Sequence, residues 1–387
     1  IKALANALAR RGIDEDQMGE AMSLISGLQV NPKLPQETQA AFADLYEKFK
    51  YEFSPDSLWL ATSGTTSGKA GSLVVLSHEA LEVSARAVNA HLGVTSQDRW
   101  GLALPLFHIG GLMILIRAAL MGSGVSRFDE SWDVRRFHRW LGDARVTLLS
   151  LVPTQVFDLV EAGLTAPHGL RAVIVGGARL EPELFLRARE LGWPLLVSYG
   201  LTECGSQVAT GSFAEPGVLR PLSHVEVRSV DGVLELRSHA LMTAKLDLAG
   251  AVTRMGEGEW FQTSDRGKVI DVGGQPALQI QGRVGDVVKI LGELVDVARL
   301  NGVLHALLPE ASRVRVGRKL KLKTESDLRT GASLTLIYGK ELGLSESEVD
   351  GLVSRYNELV APFERVSSRR EVDTVAFQTW KDSRVDR

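Results

Sequence analysis

The sequence predicts an α/β protein: a large N-terminal domain of helix-covered, mainly parallel sheets with an added β-rich subdomain, then a small α+β C-terminal cap domain. Three observations predict it. Apolar runs of strand length alternate with helical segments from Leu58 to Leu191. From about Val225 the texture turns to β, with hairpin signals at Asp231-Gly232 and Gly273-Gly274. Beyond residue 286 helices and strands interleave, and 387 residues is long for one domain and suits two.

In chain order, residues 1 to 50 read as helical pieces (Asp16 to Leu28, Gln36 to Phe49) about a proline-containing joint, Asn31 to Pro35. Strands Leu58 to Ala61 and Leu73 to Leu76 flank a stretch rich in glycine and hydroxyls. Ser77 is placed to N-cap a helix running to His91, with Glu79 in its favourable first turn. Then follow strand Trp100 to Leu104, strand Val125 to Phe128, helix Val134 to Leu141, strand Thr147 to Leu151, helix Thr154 to Ala162, strand Ala172 to Val175, helix Pro182 to Leu191 and strand Leu195 to Val197. Repeated βα units of this kind argue for a parallel sheet covered by helices. Two hairpins come next, Val225 to Arg228 with Val233 to Arg237, and Lys268 to Val272 with Leu278 to Gln281. The remainder gives a helix (Val297 to Leu307), strands (Ser312 to Val316, Ser333 to Tyr338), a helix (Glu346 to Val360) and a last strand (Thr374 to Phe377).

Composition removes several classes of function. Lys plus Arg number 44 against 47 Asp plus Glu, a net charge of -3, which gives no reason to expect nucleic acid or an anionic membrane surface as partner. The single cysteine, Cys204, excludes an internal disulfide and fits a reducing cytoplasm. Glu203 beside it discourages a thiolate, so it reads as a small buried filler. No apolar stretch reaches the ~18 residues of a membrane span. The nearest, Leu112 to Ile116, is cut by Arg117, and no signal-peptide pattern follows Ile1.

Two stretches carry chemistry. Thr62, Ser63, Gly64, Thr65, Thr66, Ser67, Gly68 and Lys69 form a loop between strands whose N–H and O–H groups can surround phosphate oxygens, without the Walker A spacing. Downstream, Tyr199, Gly200, Leu201, Thr202 and Glu203 follow a buried strand, where ligands of α/β sheets gather. A ring, a glycine, a hydroxyl and a carboxylate emerge there together, enough to stack on a base, touch a phosphate and hold Mg²⁺ through oxygen. Alone, this second stretch reads as a strand-to-loop turn with a buried tyrosine. Together the two resemble the adenylate-forming superfamily of acyl-CoA synthetases, which carries a TSGTTGxPKG-type loop and a YGxTE motif in this order. More chain usually precedes the loop in that superfamily, so the resemblance implies a shortened front.

The resemblance implies roles residue by residue. Thr62, Ser63, Gly64, Thr65, Thr66 and Lys69 would meet the β,γ-phosphates of ATP, Thr202 the α-phosphate and Glu203 the Mg²⁺. Gly176, Gly177 and Ala178, with Ser198, Tyr199 and Gly200, would lie along adenine and acyl group; a tight βα turn is the competing reading of the glycines. Asp265 would accept from the two ribose hydroxyls, with a turn aspartate as the alternative, and Arg283 would reach ribose or phosphate. His108 would line the acyl pocket beside Gly110 and Gly111, although a satisfied histidine at a helix start accounts for it equally. Ser150 to Gln155, with Thr154, and the run from Ser206 and Gln207 to Thr210 match segments of the o-succinylbenzoate-CoA ligases, the menaquinone-pathway members. Gly282 to Asp286 resembles the joint between domains, giving 1–284 as the large and 285–387 as the small mobile domain. Gly285 would be the hinge, and Lys289 and Gly292 would reach a CoA channel. Arg318, Lys319, Lys321 and Lys323, alternating with leucines, read as a solvated strand, with contact to CoA phosphates as a second reading.

The implied reaction joins a small carboxylic acid to CoA through an acyl-adenylate, with ATP and Mg²⁺, and leaves the oligomeric state open, a homodimer included. An aryl- or fatty-acyl-CoA ligase is the alternative enzyme. Three departures from the family pattern matter. Ser67 replaces a glycine, with Lys69 and Ala70 shifting the loop cation by one residue; Gly285 stands where relatives have Asp or Lys; and Arg384 occupies the slot of the adenylation lysine, with Lys381 as the other candidate. These keep a second class open: a nucleotide- or acyl-adenylate-binding protein with little ligase activity.

Overall fold

The computed structural model describes residues 26–62, 71–212, 215, 218–283, 287–308 and 319–372. At its centre is a seven-stranded sheet in which Gly124–Arg127, Arg99–Leu102, Leu148–Leu151, Ala172–Val175 and Leu195–Leu201 lie side by side and parallel. Ser206–Thr210 and Arg220–Pro221 extend it antiparallel. The short apolar runs are strands because both their faces are covered. Ala172 and Ile174 pack with Val88, Ile114 and Leu196 toward helices His78–Leu92 and Ile109–Met121, whereas Val173 and Val175 pack with Phe137, Val156 and Leu184 toward helices Val134–Asp143, Pro153–Glu161 and Pro182–Glu190. Several helix starts are capped by side chains: Ser77 accepts from the Ala80 amide at 3.1 Å, and Asp133 accepts from the Arg136 amide at 2.8 Å.

The expectation of mainly parallel sheets holds for this sheet and not for the next. A five-stranded sheet, Gly27–Gln29, Leu58–Thr62, Ser72–Leu76, Ala244–Asp247 and Val252–Arg254, is antiparallel except for its first pair. Only nine residues separate Thr62 from Ser72, fewer than the dozen or so that a parallel crossover needs. Gly27–Gln29 also corrects the helix expected to reach Leu28: Gly27 has φ 72 and the segment pairs with Leu58 to Leu60.

The β-rich part is a four-stranded antiparallel sheet of Glu226–Val230, Val233–Arg237, Phe261–Val272 and Gln275–Arg283. Its first hairpin turns at Asp231 (φ 51) and Gly232 (φ 77), as the Asp-Gly pair requires. The last part combines a hairpin (Val287–Ile290, Glu293–Asp296), which the sequence reading missed, with a three-stranded sheet and helices Val297–Ala306 and Glu346–Leu359 around Leu300, Leu304, Leu322, Leu336, Val349 and Tyr356. The strands expected at Ser312 to Val316 and Thr374 to Phe377 lie outside the described residues, and the strand Val366–Val372, parallel to Gly331–Gly339, was not expected. Leu320 and Leu322 are buried in the strand Leu320–Asp327 while Lys323 is exposed, the alternation that a solvated strand shows. Among the described residues no helix is long and apolar enough to cross a membrane.

Candidate active site

The Tyr199 to Glu203 motif was expected to follow the strand; instead the strand runs through Leu201, and Thr202–Cys204 form a 3-10 turn closed by Gly205 at φ 59. The chain then folds straight back into Ser206–Thr210. This fold-back decides two residues. A Cβ on Gly200 would stand 1.8 Å from the Ser206 carbonyl oxygen, so only glycine fits, and Ser206 itself takes φ 102, a strained conformation of the kind that collects at functional sites. Cys204 is fully buried and its thiol is pushed up to about 12 by burial, which agrees with its reading as filler.

The same fold-back fixes Glu203. Its carbonyl accepts from the Met242 amide at 2.8 Å, and its carboxylate takes the Lys245 ammonium at 2.8 Å. Burial opposes the carboxylate charge, but Lys245 outweighs it, and the pKa lies below the ordinary glutamate value. Lys245 belongs to the strand Ala244–Asp247 beside Ser72–Leu76, so Glu203 is joined to the strands that flank the glycine- and hydroxyl-rich loop. Ser63, Gly64, Thr65, Thr66 and Lys69 in that loop lie outside the described residues, as do Gly285, Lys381 and Arg384. Thr62 is placed at the loop's edge, its Oγ1 2.9 Å from Ser72 Oγ.

Tyr199, Asp265 and Arg283 come together. The Tyr199 hydroxyl donates to Asp265 Oδ2 at 2.8 Å, and Arg283 Nη1 stands 3.3 Å from Asp265 Oδ1. Asp265 is a strand residue rather than a turn aspartate, and it faces Arg283 directly in the antiparallel pair. Burial and the Asp265 charge raise the Tyr199 pKa, so the phenol stays a donor. Lys289 reaches the same place from the missed hairpin. Burial first, then Arg283, lower its pKa, while Asp265, Glu203 and Glu293 act to raise it.

Gly176, Gly177 and Ala178 form the turn after Ala172–Val175. A Cβ on Gly176 would meet the Ser198 carbonyl oxygen at 3.7 Å, an ordinary contact, whereas Gly177 has φ 83 and lies against Val152. Gly292, at φ 85, also lies against Val152, its added Cβ 3.8 Å from Cγ1, so the tip of the small hairpin sits over this turn. Thr154 is in the first turn of Pro153–Glu161, whose start is fixed by the Val152 amide donating to Gln155 Oε1 at 3.1 Å.

His108, expected to line an acyl pocket, has its Nε2 2.9 Å from Glu293 Oε1, and Asn31 Nδ2 donates to that same oxygen at 3.1 Å. Gly111 is a packing glycine: a Cβ there would stand 2.3 Å from the Pro105 carbonyl oxygen, while at Gly110 it would meet only Leu104 at 3.6 Å. Gln207 is buried, with Nε2 on Thr210 Oγ1 at 2.8 Å and Oε1 without a partner.

The residue the sequence reading passed over is Arg117. It is 1% exposed in the helix Ile109–Met121, with Nη2 3.5 Å from Ser206 Oγ and the guanidinium over the Trp100 ring. Among the described residues no carboxylate lies within ion-pair distance of it. Burial lowers its pKa to about 9, still above neutrality, so the charge persists. Buried polar atoms without partners accompany it: its own Nε, Trp100 Nε1, Asn89 Oδ1 and both nitrogens of His224, which burial and Arg117 hold down to about 4. The signal was available as a charge inside an otherwise apolar helix, which needs a partner from somewhere.

A family model described as AMP-binding enzyme matches residues 3–237. The chain is 26% identical over 303 residues to the 2-succinylbenzoate–CoA ligase of Enterococcus faecalis, covering 73% of this chain and 60% of that protein. It is 29% identical over 277 residues to the same-named ligase of Bacillus subtilis, covering 65% and 54%. The chain thus spans little more than half the length of these curated relatives. Among solved structures it resembles an o-succinylbenzoate CoA synthetase from Bacillus subtilis bound with a product analogue, at a TM-score of 0.74 and 20% identity over 98% of this chain and 89% of that one. It also resembles an amide bond synthetase from Marinactinospora thermotolerans, at 0.73 and 16% over 97% and 90%. At such identities the structural likeness shows the fold.

Proposed function

This chain belongs to the AMP-binding enzyme family, and from that premise we propose that it is an ATP-dependent acid–CoA ligase, of the o-succinylbenzoate type, working in the cytoplasm. A carboxylate oxygen of the acid attacks the α-phosphorus of ATP, and pyrophosphate leaves with the electron pair of the broken P–O bond. The CoA thiolate then attacks the acyl carbon and AMP leaves. Because two anions meet in the first step, positive charge and donors must be preplaced.

Asp265, held by Tyr199 and Arg283, takes the ribose hydroxyls; Thr202 meets the α-phosphate; Thr62 and the loop with Lys69 meet the outer phosphates. The turn Gly176 to Ala178 and the strand at Ser198 and Gly200 flank the nucleotide. The donor chemistry suits Mg²⁺: Glu203 is an oxygen ligand, and Mg²⁺ takes one or two carboxylates, phosphate oxygens and waters rather than a protein cage. When bound, that ion would draw charge from the phosphates. Residues 285–387 form the small domain in this reading, with Gly285 as hinge, Lys289 and Gly292 at the CoA channel and Lys381 or Arg384 as the adenylation cation.

Arg117 is the observation that carries the choice of acid. A buried guanidinium without a carboxylate of its own is completed by an acid bearing a second carboxylate, as 2-succinylbenzoate does, and is left stranded by a fatty acyl chain. ATP–pyrophosphate exchange with o-succinylbenzoate, benzoate and a fatty acid tests this. Exchange with the diacid alone is expected. Tight AMP binding without exchange for any acid would move the reading to a nucleotide-binding protein, which Arg384 in the lysine slot favours.

A further inference from the structure

We propose that Lys245 is a phosphate-binding cation of the adenylation step, docked on Glu203 until the nucleotide arrives. This rests on the ligase reading of the same site and adds a residue to it. The Lys245–Glu203 pair at 2.8 Å is largely withdrawn from water, with side-chain exposures of 19% and 16%. Its place in the sheet points it toward phosphate. Lys245 stands opposite Val74 and Asp247 opposite Ser72, while Ser72 stands opposite Thr62. Side chains two residues apart on a strand, and those directly opposite, share a face. Lys245 therefore shares a face with Thr62 and Ser72, the two residues from which the loop departs and to which it returns.

A purely structural ion pair is the competing account, and the surroundings argue against it. Lys245 is carried by a strand paired on both edges, a rigid mount for a cation. The other lysine of this region that belongs to the loop, Lys69, stands one residue off the family spacing, so a cation at the loop's edge supplies charge that the loop pattern does not. On nucleotide binding the ammonium exchanges the carboxylate for phosphate oxygens, and Glu203 is released to act as an oxygen ligand for a divalent cation. As the acid oxygen bonds to the α-phosphorus and the P–O bond to pyrophosphate breaks, the ammonium offsets charge on the departing oxygen without transferring a proton.

The test uses the full chain with Lys245→Met and Lys245→Arg, read by calorimetric titration with ATP and Mg²⁺, and by Mn²⁺ binding to the nucleotide-free protein followed by electron paramagnetic resonance. Loss of a charge-assisted contact should weaken ATP binding about tenfold or more in Lys245→Met, with most of it regained in Lys245→Arg. Mn²⁺ should bind the nucleotide-free Lys245→Met protein about tenfold more tightly than the wild type, because Glu203 no longer carries its ammonium. A structural pair would also free Glu203 when its lysine is lost but would leave ATP affinity unchanged, so the ATP titration separates the two accounts. Unchanged ATP affinity, or Mn²⁺ binding no tighter, in a folded Lys245→Met protein overturns the proposal and leaves the ligase reading standing. A wild type that binds no ATP overturns both.

Discussion

The Tyr199 hydroxyl donates to Asp265 Oδ2 at 2.8 Å across 66 sequence positions, tying the end of the seven-stranded sheet to the four-stranded one. The bond holds the carboxylate where Arg283 also meets it. Tyr199→Phe removes one donor to a buried acceptor and should weaken AMP binding by roughly 1 kcal/mol, or about fivefold. Asp265→Ala, which also strands Arg283, should cost about tenfold to a hundredfold. Calorimetric titration with AMP checks both, and an Asp265→Ala protein of native affinity would remove this carboxylate from the nucleotide site.

Arg117 should behave oppositely in stability and in recognition. With its charge buried and unmatched, Arg117→Met should leave the ligand-free protein as stable or more stable, by up to about 2 kcal/mol. The same variant should raise KM for a diacid substrate by about tenfold or more while leaving ATP affinity intact. Denaturant unfolding and exchange kinetics measure the two halves separately.

Gly200 has no room for a methyl group, since the atom in the way is the Ser206 carbonyl oxygen, part of the backbone. Gly200→Ala should cost about 3 kcal/mol or more and displace Glu203 with the turn that carries it. Gly142, where an added Cβ meets nothing within 4 Å, is the matched control. Parallel unfolding midpoints that fall together for the two variants would contradict the packing argument.

Acid should act through His224. Burial and Arg117 hold it down to about 4 from an ordinary 6.5, so the unfolded chain takes up a proton that the folded chain refuses. Stability is therefore complete above 6.5 and declines as pH falls toward 4, by about 3 kcal/mol in all. His224→Phe should flatten that part of the curve. Asp98 acts lower: burial opposes its charge, but Arg171, Thr95 and Thr147 hold it at about 2 rather than 3.8, so its contribution is present above 3.8 and disappears toward 2. Urea midpoints measured across the range separate the two.

Much of the fold was legible because its signals are local. Ala172–Val175 reads as a strand from four apolar residues, Ser77 announces the helix His78–Leu92, and Asp231-Gly232 sets a hairpin. For the candidate site, the sequence offers residue types but not their contacts. Asp265 and Arg283 were each assigned to ribose, while their pairing depends on the register of a hairpin that no residue type encodes. Lys245 lies in a short strand whose partner is 170 or so positions upstream, a separation at which sequence spacing carries no information about proximity. Arg117 was visible only as a break in an apolar run, since a single charge does not say which face of its helix it will occupy. The hairpin Val287–Ile290 with Glu293–Asp296 was missed because its turn, Leu291-Gly292, places a leucine at φ 55, a position where turn rules lead one to look for Asn, Asp or Gly.

One oxygen of Glu293 receives both His108 and Asn31. Rotation of that single side chain severs both links at once, so the hairpin cannot peel from its seat by degrees at this point. The two links that meet at this oxygen are therefore made and lost together.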